Sequence, residues 1–92
     1  MKKKKQSPAY RLCQQATKAK QKGLYRKAHE LYNKSLKINP FLAATYYERS
    51  DLPDLNISDM ELARMEKVFS TANTLQDKII MAFALARAYD CQ

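Results

Sequence analysis

The chain has 92 residues, a formal net charge of +8, one glycine, three prolines and two cysteines. That length holds one domain with a thin core, because a chain so short buries only about 60–65% of its unfolded surface. A composition rich in Ala, Leu, Lys, Gln, Arg and Met excludes a hairpin-built sheet, and no apolar stretch approaches the roughly 20 residues a bilayer span requires.

Residues 1–7 form a basic leader containing Lys2 to Lys5 and are expected to be disordered. No hydrophobic segment follows the lysines, so they do not read as a secretory signal, and a cytoplasmic location is expected. Ser7 then stands where a helix N-cap should, with Pro8 in the first turn, where a missing N–H costs nothing. Leu12, Ala16 and Ala19 recur at helical spacing until Gly23, which can take the left-handed conformation past a helix end. A second helix is predicted from Tyr25 to Ile38. Its apolar stripe is Tyr25, Ala28, Leu31, Tyr32, Ser35, Leu36 and Ile38, and Asn39-Pro40 ends it. The connection is so short that the two helices must lie antiparallel.

A third helix is predicted from Phe41 to about Arg49, carrying Leu42, Ala43, Tyr46 and Tyr47. It breaks in the turn-forming run Ser50 to Asp54. Ser58 and Glu61 stand at capping-box spacing at the head of a fourth helix, with Ile57 placed to staple onto Leu62. That helix has the stripe Leu62, Met65, Val68 and Phe69, and a break is predicted over Ser70 to Asn73. Thr74, with Asp77 three residues on, opens a fifth helix to about Tyr89. It is apolar almost all round, from Ile79 to Ala88, and so expects neighbours on several sides.

The run Leu12…Ala16…Gly23-Leu-Tyr25…Ala28…Tyr32…Ser35-Leu36…Ile38-Asn39-Pro40 resembles one tetratricopeptide repeat over Ala9 to Leu42. The resemblance implies an all-α fold of antiparallel helical hairpins, a short α-solenoid of about five helices. Small residues would sit at the close crossings (Ala16, Ala28, Ser35), with Tyr25 and Tyr32 plugging the gaps and Leu12, Leu36, Gly23 and Pro40 completing the packing set. Gln15 and Ala19 depart from the pattern, which usually has a large apolar residue and an aromatic there. Residues 43–73 read as a degenerate second repeat and residues 74–92 as the first helix of an unfinished third, within one helical domain over 8–92. The arrangement is also similar to the N-terminal region of bacterial proteins in which such repeats precede a sulfotransferase domain. The helix Ile80 to Tyr89 carries that likeness, and nothing resembling a nucleotide-binding loop accompanies it.

Catalysis is not expected. His29, the only histidine, has no evident nucleophile or second base beside it, and Cys13 and Cys91 lack neighbours at metal-ligand spacing. Asp51, Asp54, Asp59 and Glu61 fit no calcium loop. No cofactor or metal is therefore expected. The expected role is non-catalytic binding of a protein or peptide, by a small adaptor or a fragment of a longer protein. Residues 1–42 hold twelve Lys/Arg against the single acid Glu30, whereas residues 43–92 hold five against eight acids. This imbalance suggests an acidic partner, met by Gln14, Gln15, Lys18, Lys22 and Tyr47 on the face that the first helices of repeats present. Six tyrosines and the same basic half make nucleic-acid binding a weaker alternative. Self-association through the apolar last helix is a further expectation.

Overall fold

The structure is a computed structural model that describes residues 7–53 and 56–90. Residues 1–6 of the leader, residues 54–55, Cys91 and Gln92 lie outside the described residues. Five helices are formed and, among the described residues, no strand: α1 (Pro8–Gln21), α2 (Tyr25–Ile38), α3 (Ala43–Arg49), α4 (Asp59–Thr71) and α5 (Leu75–Asp90). None is long and apolar enough to cross a membrane.

Local chemistry sets the boundaries. The Ser7 hydroxyl accepts from the Tyr10 N–H at 3.1 Å, a cap that stabilises a helix by about 1 kcal/mol. Gly23 has φ +81°, and the Gly23 and Leu24 N–H groups close onto the carbonyls of Lys20 and Ala19 at 3.0 and 2.9 Å. The Asn39 side chain accepts from the Phe41 N–H at 3.0 Å. This local turn holds residues 39–42 out of helical geometry and delays α3 to Ala43, two residues later than the sequence suggests. Ser58 caps α4 through the Glu61 N–H at 3.1 Å, but the Glu61 carboxylate turns to Arg49 instead of completing the reciprocal capping box. At its far end α4 continues through Ser70 and Thr71, whose hydroxyls both donate back to the Lys67 carbonyl and so remain compatible with helix. Thr74 caps α5 through Asp77, also at 3.1 Å.

Helices of 14 residues are marginal alone in water, so packing must hold them. α1 lies along α2, and α3 packs against both. α3 also meets α4 and α5, and α4 meets α5. The odd-numbered helices thus form one row of contacts, α1–α3–α5, with α2 against α1 and α3, and α4 against α3 and α5. Two cores result. One joins Cys13, Ala16, Ala19, Ala28, Tyr32 and Leu52. The other joins Leu36, Ala43, Tyr46, Ile57, Met65, Val68, Met81, Ala84, Leu85 and Ala88, with Leu62 packed against it.

Ala16, Ala28, Tyr32, Ser35 and Leu36 are buried, and Leu12 and Pro40 are half-buried. Tyr25 and Ile38 are not part of the stripe: they remain 45% and 55% exposed. Tyr25 and Ile38 are the first and last residues of α2, where the cover of its neighbours gives out. The apolar circumference of α5 is likewise only half used. Met81, Ala84, Leu85 and Ala88 are buried, while Leu75, Ile79 and Phe83 face outward.

Candidate functional site

Between α1 and α3 lies a groove of about 360 Å³, lined by Tyr10, Cys13, Gln14, Thr17, Lys18, Gln21, Ala44 and Glu48. α1 supplies its wall because residues 10, 14, 17, 18 and 21 recur at three- and four-residue intervals on one face. α3 can approach that wall because Ala44 is small.

The groove is held from beneath. The Ser35 hydroxyl donates to the Ala9 carbonyl at 2.7 Å and shares a hydrogen bond with Thr45 at 2.9 Å, which ties α1, α2 and α3 together in a buried network. The Thr17 hydroxyl donates to the Cys13 carbonyl at 3.0 Å and lies 2.8 Å from the Tyr32 hydroxyl, fixing the middle of the wall. Satisfied buried networks of this kind favour one geometry over its near alternatives.

At one end Lys20 reaches across from α1. Its Nζ donates to the Glu48 carbonyl at 2.7 Å, to Glu48 Oε1 at 3.3 Å and to Asp51 Oδ1 at 2.9 Å. Burial acts to lower the Lys20 pKa, but the hydrogen bond to Asp51 and the nearby negative charges outweigh it and hold the ammonium above its ordinary range. Further along the row, Arg87 of α5 donates to the Ser50 hydroxyl at 2.9 Å and lies over the Tyr47 ring, 5.7 Å from its centre. These two cations brace α3 from either side.

Of the residues the sequence points to, Gln14 and Lys18 share the groove. Gln15 and Lys22 are exposed but do not line it, and Lys22 is the C-cap residue past the last turn of α1. Tyr47 is half-buried beneath Arg87. The bracing by Lys20, Glu48, Asp51 and Arg87 is not legible in the sequence, since it joins positions about 30 residues apart or more and no spacing rule connects them.

Other basic side chains meet in a second cleft. Lys37, Arg49 and Arg64 line a cleft of about 310 Å³ together with Asn33, Ser58 and Glu61. Arg49 is only 4% exposed; its guanidinium pairs with Glu61 and lies 5.6 Å from the centre of the Tyr46 ring. This pair pins the first turn of α4 to the end of α3. A buried pair of this kind contributes chiefly through the cost of removing one partner.

Cys13 is nearly inaccessible, and burial pushes its thiol pKa up despite an opposing hydrogen bond from Thr45. His29 lies on α2, outside the groove lining. Among the described residues no group of three or more His, Cys, Asp or Glu side chains is placed to hold a metal ion. No family model matches the chain, and neither does any curated protein or solved structure.

Proposed function

We propose that the chain is a non-catalytic, tetratricopeptide-like module that holds an extended acidic segment of a partner protein in the groove between α1 and α3. The observation that carries this reading is the lining itself. Gln14 and Gln21 each offer a donor and an acceptor, which suits the exposed amides of an extended main chain. Lys18 adds a cation whose charge is not committed to a described ion pair, whereas Lys20 is already engaged by Glu48 and Asp51. A partner carboxylate therefore belongs at the Lys18 end and is repelled at the Glu48 end. The side-by-side order of the odd-numbered helices supports the reading, because in stacked hairpins that row forms the binding face.

The contrast between Lys18 and Lys22 tests it. A fluorescein-labelled peptide rich in Glu and Asp, with a free C-terminal carboxylate, is titrated with the full chain and followed by anisotropy. Lys18→Glu and Gln14→Ala are expected to weaken binding roughly tenfold, about 1.4 kcal/mol. Lys22→Glu, outside the groove, should change it no more than general charge screening allows. Equal losses for Lys18→Glu and Lys22→Glu would reduce the interaction to non-specific attraction and remove the groove from it.

A further inference from the structure

α5 presents two unlike faces. Met81, Ala84, Leu85 and Ala88 are buried against α3 and α4. Roughly opposite them, Leu75, Ile79 and Phe83 are 75%, 49% and 58% exposed, and Ala82 and Ala86 lie exposed between them. Tyr89 is also exposed but is not part of this stripe, because its hydroxyl reaches back to Glu66 of α4.

The order of sizes along the stripe is informative. Leu75, Ile79, Ala82 and Ala86 are separated by four, three and four residues, the spacing of a coiled-coil seam. The two large residues come first and the two small ones last. Reversing the direction of a second, identical helix therefore sets large against small at every layer. Leu75 meets Ala86 of the second copy, and Ile79 meets its Ala82. A parallel arrangement would instead stack Leu75 and Ile79 on themselves and leave gaps at the alanines.

We infer that the chain forms a two-fold dimer through antiparallel pairing of α5, with a second copy of itself as the occupant of this face. The pairing is isologous, so one patch serves both sides. Because the stripe lies roughly opposite the buried face, the two domains lie on the outer sides of the helix pair and do not collide. Phe83 flanks the alanine layers and closes the side of the seam. Asp90, at the end of the same face, reaches the N-terminal end of α5 in the second copy, where the helix dipole favours a carboxylate. Covering these side chains in both copies removes on the order of 1,000 Å² from water, the least that a specific interface needs. The affinity expected of such an interface is modest, with a dissociation constant on the order of 10 µM. The α1–α3 groove contributes no residue to this face, so the dimer neither requires nor blocks it.

Sedimentation velocity of the full chain over about 1–500 µM is the primary test. A reversible shift from the 10.7 kDa monomer to twice that mass is expected. Ala82→Arg, at an exposed position that should not disturb folding (checked by circular dichroism), should weaken the association at least a hundredfold. Register is tested in a Cys91→Ser background with a short bismaleimide. A mixture of Leu75→Cys and Ala86→Cys chains should cross-link between copies, and Leu75→Cys chains alone should not. A monomer at 500 µM would overturn the proposal. So would an Ala82→Arg variant that dimerises unchanged, or cross-linking of Leu75→Cys to itself, which would report parallel helices.

Discussion

The α1–α2 hairpin and the α4–α5 pair are both short-linked helix pairs resting on α3, yet they are held by different means. In the first, small residues (Ala16, Ala19, Ala28) allow close approach around the fully buried Tyr32, and hydrogen bonds cross the contact at Thr17, Tyr32, Ser35 and Ala9. In the second, Met65, Val68, Met81 and Leu85 fill the space by bulk. The described hydrogen bonds between those two helices lie at the rim, from Lys78 to the Phe69 carbonyl and from Tyr89 to Glu66. Alanine crossings and directional bonds fix one geometry, whereas aliphatic and thioether side chains accept several packings at similar energy. The hairpin is thus the rigid part that supports the groove, and α4–α5 is the adaptable part that carries the exposed stripe.

The largest effects should come from emptying each core in turn. Tyr32→Ala removes a fully buried aromatic ring together with the hydroxyl bonded to Thr17 and should cost about 4 kcal/mol. Met81→Ala, also at a fully buried site, should cost about 3 kcal/mol. The two should differ in where the loss appears. Hydrogen exchange on Met81→Ala should lose protection in α4 and α5 first while α1–α2 stays protected, and Tyr32→Ala should lose it throughout. Uniform loss in both variants would make the molecule a single cooperative unit and erase the distinction.

That difference also explains what could be read from the residues alone. The hairpin is legible because its determinants are local: a Ser-Pro start, a lone glycine, small residues at helical spacing and an Asn-Pro stop, all within 34 residues. The stripe of α2 was read too widely, because periodicity does not say how much of an arc a neighbour covers. It therefore included Tyr25 and Ile38, which remain exposed. α5 was legible as apolar all round, but which half is buried depends on α3 and α4. In the groove, Gln14 and Lys18 follow from the helical period of α1. Its closure by Glu48 and Asp51 does not, because Lys20 reaches them only after α3 has docked. Glu61 shows the same limit: spacing marks it as a capping partner, yet its carboxylate goes to Arg49, which only the fold brings near.

A smaller effect probes the polar lock itself. Ser35→Ala deletes the donor to the Ala9 carbonyl and takes from Thr45 one of its buried partners, so it should cost about 2 kcal/mol. Thr45→Val in the same chain removes the hydroxyl that lost that partner. Thermal unfolding of the double variant is expected to recover part of the loss, because deleting both partners is cheaper than stranding one. A double variant that is less stable than the sum of the single changes would mean that Ser35 and Thr45 contribute by packing, and the hairpin would then be held by the same means as α4–α5.

Gly23→Ala asks whether the hairpin owes its sharp reversal to backbone freedom alone. At φ +81° an alanine is strained by about 1–2 kcal/mol, because its Cβ approaches its own backbone in the left-handed region. A Cβ at this position meets nothing within 4 Å, so no packing clash adds to that strain. Working against it, alanine restricts the unfolded chain and returns about 0.4–1 kcal/mol. The net loss should be about 1 kcal/mol, a melting-temperature drop of about 5 °C for a domain of this size. Gly23→Asn should lose less, because asparagine enters the left-handed region more readily. If alanine and asparagine proved equally costly, and both far more so than this, the turn would be set by a contact at Gly23 and not by its conformation. The antiparallel geometry of α1 and α2 would then rest on packing across the whole hairpin.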